Sequence, residues 1–335
     1  MTPPGRRPTL ADIARETGLS TAAVSYALRG LQVPEETQER VREVADRLGY
    51  TVNPIARALS SGRTDTIGLL CGSLEDSWQR AVTAALVQAL PETGRQAVIM
   101  DAGSDPAVQL ALAQRLVETR ADAIVVMPLD PAAQEWSDVA DRATVVAIGD
   151  GLPAARTAAE IVYDNVAGVT DGLGQLAAAG HERVDVLSPI GLDTPDRPAE
   201  AVVARVSAEL GVSARVVQSP HELDAACAVV RAELAGDDPP TAFLCLADSM
   251  AWGVYAAGRE LGLSIPDDIS VIGYDDAPVS RLLVPPLTTY HWPMDRLVDA
   301  VTRTLERAID EGTRSRRQVI SPTPVPGGSV GAPHS

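Results

Sequence analysis

From Thr66 onward the chain repeats one unit, a short apolar run followed by a polar-edged stretch of helical length. The runs IGLLCG, QAVIMDAG, ADAIVVMPLD, TVVAIGD, RVDVLSP, ARVVQS, TAFLCLAD and ISVIGYDD read as strands buried on both faces. Between them, Trp78 to Leu90, Pro106 to Glu118, Asn165 to Ala179, Leu223 to Leu234 and Ser249 to Leu261 read as amphipathic helices. A strand apolar on both faces needs cover above and below, so this alternation predicts parallel sheets with right-handed crossovers. The number of runs suits two sheets. Ligands of open parallel sheets bind beyond the carboxyl ends of the strands. That rule singles out Gly72–Ser73, Asp101, Asp130, Asp150, Ser188, Asp248 and Asp275.

The first 65 residues follow a different rule. Thr9 to Arg29, TLADIARETGLSTAAVSYALR, reads as two short helices joined by a tight turn. Thr9 is a suitable N-cap, and Asp12 lies where the helix dipole favours an acid. Ile13, Ala14 and Thr17 make a narrow face at helical spacing. Gly18 supplies the left-handed exit, and Ser20 caps a second helix from Thr21 to Leu28. Val24, Ala27 and Leu28 point back toward the first helix, which leaves Thr21, Ala22, Ser25 and Tyr26 outward. This is helix-turn-helix spacing, and the outward face of the second helix is the one that meets base edges. Pro34 to Leu48 forms a third helix with Val41, Val44, Ala45 and Leu48 as its buried stripe.

A net charge of −17 argues at first against DNA. The charge is unevenly placed, however. Residues 1–65 hold nine arginines against eight acids, and the remainder nineteen against thirty-seven. A near-neutral headpiece must grip phosphates with placed arginines (Arg6, Arg7, Arg29, Arg57 and Arg63), and it should need a second copy for useful affinity. No apolar run is long enough to cross a bilayer, and no hydrophobic segment follows the basic N-terminus, so a cytoplasmic protein is expected. Cys71, Cys227 and Cys245 lack metal or redox spacing and read as reduced core residues. Enzyme motifs are missing: there is no G-x-S-x-G, no H-E-x-x-H and no Walker loop. Gly172 to Gly180, GLGQLAAAG, lies inside a helix rather than at a strand-to-helix turn, so it is no dinucleotide fingerprint. No metal site and no cofactor are expected.

Residues 9–70 resemble the headpiece and hinge of the lactose/galactose-repressor (LacI/GalR) family. The matching strings are T-L-x-D-I-A, G-L-S-T-x-x-V-S, E-E-T-Q-E-R-V, L-G-Y-x-x-N, A-R-A-L and R-T-x-T-I-G-L. The resemblance implies an α/β chain with an N-terminal all-α helix-turn-helix headpiece (1–50) and a hinge helix with linker (51–65). A periplasmic-binding-protein-like core (66–335) would follow, with subdomains at 66–163 plus 291–318 and at 164–290 plus 319–326. The DNA-contacting residues it implies are Thr9, Ser20, Thr21, Ala22, Ser25, Tyr26 and Arg29, with Asn53, Ala56 and Leu59 in the hinge. Asn53 would cap a hinge helix too short to stand alone in water, and Leu59 would wedge into the central minor-groove step. In the core, Asp248 and Asp275 match effector-contact positions in A-D-S-M-A-x-G and G-Y-D-D, and Trp78 stands where the family often has a pocket aromatic. Ser73, Asp101, Asp130, Asp150 and Arg197 complete the expected effector set.

Two departures stand out. Ala247 replaces the family's usual Asn, removing a bidentate amide, and Arg197 sits in DTPDRPAEAVVARV rather than in an R-x-x-G-F string. Asn165 reads as a helix cap, His181 as structural, and the terminal SPTPVPGGSVGAPHS as disordered at its end. The expectation is a homodimeric regulator, most simply a repressor. It would bind a pseudo-palindromic operator in double-stranded DNA and answer to a small-molecule effector, a sugar or related metabolite, between the core halves. A solute-binding protein shares the core but would carry a signal peptide and no headpiece. An enzyme on the same sheets would show turnover, and an effector-independent regulator would keep the DNA face alone.

Overall fold

The computed structural model describes residues 8–31, 33–51, 58, 62–190, 194, 196–315 and 317–333. The chain divides into two compact units, Met1–Thr64 and Asp65–Ser335. In the first, helices α1 (Leu10–Thr17), α2 (Thr21–Leu28) and α3 (Glu35–Leu48) pack around Ile13, Ala14, Val24, Ala27, Val41, Val44 and Ala45. Each local signal has a visible cause. The Asp12 carboxylate accepts from the Thr9 N–H at 2.9 Å and its hydroxyl at 2.7 Å. Gly18 takes φ 70° and ends α1, and the Ser20 hydroxyl accepts from the Ala23 N–H at 3.1 Å to start α2.

The second unit contains two parallel sheets. The six-stranded sheet has the order β11-β5-β4-β3-β1-β2. It is built from β1 (Thr66–Cys71), β2 (Gln96–Asp101), β3 (Ala123–Val126), β4 (Thr144–Gly149), β5 (Ala159–Tyr163) and β11 (Gln318–Ile320). Helices α4 (Ser77–Ala89), α5 (Pro106–Glu118), α6 (Glu135–Arg142) and α11 (Met294–Asp310) belong to this half. The four-stranded sheet has the order β7-β6-β8-β9, from β6 (Arg183–Pro189), β7 (Ser213–Ser219), β8 (Ala242–Cys245) and β9 (Ser270–Ile272). Its helices are α7 (Asn165–Ala179), α8 (Ala199–Leu210), α9 (Leu223–Leu234) and α10 (Asp248–Leu261). An antiparallel pair, β10 (Thr289–His291) with β12 (Thr323–Val325), accompanies the crossovers between the halves.

Three expectations are corrected. Not every strand is buried on both faces: β2 is an edge strand with Val98 and Ile99 exposed, and β7 alternates. The segment 319–326 does not belong wholly to the second half, because β11, through Ile320, pairs with β5 and extends the six-stranded sheet. The Pro/Gly-rich terminus is also ordered over its described residues, to 333. Ser329 is fully buried. Its backbone accepts from the Val271 N–H at 2.8 Å, and its hydroxyl donates to the Val271 carbonyl at 2.6 Å and accepts from the Thr288 N–H at 2.8 Å. The tail therefore satisfies the open edge of β9, which composition alone does not disclose. Ser329→Ala is expected to leave the buried Thr288 N–H unpaired and to lower stability by about 1–3 kcal/mol in urea unfolding. An unchanged midpoint would mean the tail is not seated there.

His181, as expected, is a structural residue. Its ring is buried between the Thr241 hydroxyl at 2.9 Å and the Gly331 carbonyl at 3.0 Å, and burial lowers its pKa.

Candidate functional site

The headpiece presents its candidate face on α2. Val24 and Ala27 are buried, so helical periodicity turns Thr21, Ala22, Ser25 and Tyr26 away from the core. Thr21, Ala22 and Tyr26 are exposed, and so is Arg29 just beyond the helix. The Arg29 guanidinium lies 5.3 Å from the Tyr26 ring centroid, and its Nε donates to the Ser25 carbonyl at 3.4 Å. Thr9 and Ser20 are exposed at the helix starts, where their hydroxyls are engaged in capping. Asn53, Ala56 and Leu59 lie outside the described residues, as do Arg6, Arg7 and Arg57.

The core places its candidate site beyond the strand ends, between the two halves. A cavity of ≈ 140 Å³ there is lined by Asp76, Trp78, Asp150, Tyr163, Arg197 and Asp275, with His221, Ala247, Tyr274 and Trp292 among its other walls. Strand β4 ends at Gly149 and delivers Asp150. The Asp150 carboxylate accepts from the Thr194 hydroxyl at 2.5 Å and pairs with Arg197, whose Nε stands 2.5 Å away. The guanidinium is poorly aligned for a hydrogen bond, and its Nε and Nη2 are buried without a hydrogen-bond partner. Nearby, the Asp196 carboxylate accepts from the Gly151 N–H at 2.9 Å and from Arg317, and Arg317 also pairs with Glu160 at 3.1 Å. These contacts join the segment before α8 to the loop after β4, so they cross the cleft.

Its other wall is aromatic. The Trp78 indole donates to the Tyr163 hydroxyl at 2.8 Å, and Tyr163 lies 4.7 Å from Trp292 between centroids. Tyr274 is 5.5 Å from Trp292 and stacks on Tyr290 at 4.8 Å. Asp275 follows Tyr274 with φ 107°, and its Oδ2 is buried with no hydrogen-bond partner. Burial, reinforced by the Asp76 and Asp248 carboxylates, holds the Asp275 carboxyl well above the usual range against an opposing Trp292 hydrogen bond. Asp76 caps α4 through the N–H groups of Trp78 at 2.8 Å and Gln79 at 3.4 Å. Opposite it, His221 Nε2 is 3.9 Å from Asp76 Oδ2, while His221 Nδ1 meets the Ser249 hydroxyl at 3.0 Å.

Of the expected effector residues, the fold thus brings Trp78, Asp150, Arg197 and Asp275 together. Four others lie outside the lining of this cavity. Asp248 is fully buried and committed to scaffolding: it accepts from Thr289 Oγ1 at 2.6 Å, Ser280 Oγ at 2.7 Å and the Ala277 N–H at 2.8 Å. Desolvation outweighs those bonds and leaves its pKa pushed up to about 6. Asp101 accepts from the Leu74 and Gly103 N–H groups, Asp130 from the Ala132 N–H, and the Ser73 hydroxyl from the Glu75 N–H, all turn contacts away from the cavity lining. Strand ends collect turn-forming acids as readily as ligand-binding ones. Asn165 is not the helix cap either. Asp164 accepts from the Ala167 N–H at 3.1 Å, while Asn165 donates to the Asp196 carbonyl at 2.8 Å and lines the cavity. Sequence reasoning missed Asp76, Tyr163, His221, Tyr274 and Trp292. Tyr163 and Trp292 had a usable signal, as aromatics at the crossovers between halves.

A family model for bacterial regulatory proteins of the lacI family matches residues 9–53, and one for a periplasmic binding protein-like domain matches residues 173–330. The chain is similar to the HTH-type transcriptional repressor PurR of Vibrio atlanticus (strain LGP32), at 30% identity over 321 residues, 92% of this chain and 94% of that protein. PurR of Klebsiella pneumoniae (strain 342) is 29% identical over 322 residues, 94% of each. Among solved structures, the Lac repressor dimer bound to operator and the anti-inducer ONPF superposes with a TM-score of 0.85 at 22% identity, covering 98% of this chain and 100% of that one. The complex of the transcriptional regulator CelR with cellobiose gives 0.68 at 23% identity, covering 96% and 100%.

Proposed function

As a member of the lacI family of bacterial regulatory proteins, this chain is a DNA-binding transcription regulator and not an enzyme, and we propose that it is a cytoplasmic homodimeric repressor controlled from the core cleft. The observation that carries the reading is the free face of α2, where Thr21, Ala22, Ser25, Tyr26 and Arg29 surround a helix held only from behind. Each protomer sets that face into a major groove of one half of a pseudo-palindrome. Asn53, Ala56 and Leu59 serve the hinge, with Leu59 entering the central minor groove. Cytoplasmic placement follows from the need to reach bacterial DNA.

Dimerisation has a surface available. Leu282 and Val284 are 78% and 90% exposed, and Val279 and Leu223 are exposed beside them on the rim of a groove that includes Trp252, Tyr255 and Leu283. An apolar patch of this kind on a soluble protein marks an interaction site. An effector in the cleft alters the contacts among Asp150, Thr194, Asp196, Arg197 and Arg317, and with them the angle between the halves. A coupling of a few kcal/mol is enough to change operator occupancy.

Tyr26 provides the test. The phenol gives the exposed face of α2 a ring and a hydroxyl to set against base edges, so Tyr26→Ala should shift the preferred half-site bases and weaken selectivity by about 1–3 kcal/mol per contacted pair. Binding of both proteins to a duplex library reads this out. An identical base preference in the variant would remove α2 from the reading.

A further inference from the structure

The cleft is poorly matched to a neutral polyhydroxyl ligand. Ala247 offers no side-chain amide, and of the two carboxylates facing the aromatic wall, Asp275 keeps a buried oxygen without a partner. The lining holds three carboxyl groups, Asp76, Asp150 and Asp275, against the single guanidinium of Arg197, which is spent on Asp150. The groups packed around Asp275 do not balance it. Asp276 on its own loop is tied to Arg281 and His291, Asp248 at the start of α10 is locked in the scaffold, and Asp76 at the start of α4 faces it from the other half. His221 at the exit of β7 is 3.9 Å from Asp76. An anion would meet uncompensated negative charge here. A cation would meet both charge and the aromatic lining of Trp78, Tyr163, Tyr274 and Trp292, residues whose ring quadrupoles attract positive charge.

We propose that the effector is a small organic cation. Its protonated amine is held by Asp275 and Asp76 against the aromatic wall, and its other end presents an oxygen acceptor to Nη2 of Arg197, which is buried without a hydrogen-bond partner. The proposal rests on the regulator reading and adds the ligand class to it. Occupation gives Asp275 Oδ2 the partner it lacks and favours ionisation of a carboxyl whose pKa burial raises. A hydroxyl in the same place supplies a hydrogen bond but neither the charge nor the cation–π attraction.

The test is isothermal calorimetry on the full-length protein at neutral pH. The probes are ethanolamine, glucosamine, ornithine and putrescine, each beside the counterpart acetylated at every amine, with glucose beside glucosamine. At least one amine should bind, its N-acetylated form should bind about tenfold more weakly or worse, and Asp275→Asn should lose about tenfold or more. Asp76→Asn keeps a good helix cap and should show a smaller loss of the same kind. If Asp275→Asn fails to fold, judged by circular dichroism, Asp76→Asn decides, a measurable loss of amine affinity supporting the proposal and full affinity overturning it. No binding by any amine, equal binding of amine and N-acetyl forms, or full affinity in the folded variants would overturn the proposal. Enrichment of a palindromic duplex tests the regulator reading without these probes, so the two can fail separately.

Discussion

Gly168→Ala is expected to destabilise the core by about 3 kcal/mol or more and to disorder the cleft, because the site leaves no room for one methyl group. A Cβ built on Gly168 would lie 1.1 Å from the Tyr274 hydroxyl oxygen and 2.3 Å from the ring carbon bearing it. Tyr274 cannot simply yield. Its ring is stacked on Tyr290 and tilted against Trp292, and the next residue is Asp275. The D-N-x-x-G string at Asp164–Gly168 therefore has a steric reason: α7 must be bare where the Tyr274 ring passes. Tyr274→Phe should behave in the opposite sense. The Tyr274 hydroxyl is buried without a partner, so its removal should be neutral or stabilising, by up to about 1–3 kcal/mol. Urea unfolding of the two variants checks both. A fully stable Gly168→Ala would contradict the packing of α7 against the loop that carries Asp275.

Deleting residues 1–61 is expected to abolish operator binding while leaving a folded, dimeric core. The core from Asp65 is a compact unit with its own hydrophobic clusters, and those clusters contain no headpiece residue. From residue 66 it carries nineteen arginines against thirty-seven acids, a balance that repels phosphate rather than attracting it. A subtler variant separates the hinge from the recognition helix. Leu59→Ala should weaken binding to the selected operator about tenfold or more while barely changing affinity for random DNA, since a wedge gains its return only where the central step kinks. Fluorescence anisotropy on both duplexes, with sedimentation of the deleted form, reads these outcomes. Equal losses on the two duplexes would remove the wedge, and a monomeric core would remove the apolar patch around Leu282 and Val284 as the interface.

The sequence was most legible where one local rule decides a position. Ser20, Gly18 and the Val24–Ala27 stripe set α1 and α2 through capping, a left-handed turn and helical period, and each acts within a few residues. Strand and helix alternation gave the doubly layered core for the same reason. Legibility failed where partners are distant in the chain. Asp248 and Asp275 both sit at strand exits, yet one is consumed by Ser280 and Thr289 while the other faces a cavity, a distinction fixed by residues 32 to 41 positions away for Asp248. The tail reads as disordered by composition because its partners, Val271 and Thr288, are an open strand edge far upstream. His221 and Asp76 come within reach only when the two halves stand face to face.

The measurement that bears most directly on the account is selection of bound duplexes from a random pool by the purified full-length protein at moderate salt. Enrichment of a palindrome about one and a half to two helical turns long, with a flexible pyrimidine–purine step at its centre, is expected. A pool that stays random after repeated selection would contradict it, and would leave the core as a ligand-binding module with an inert headpiece.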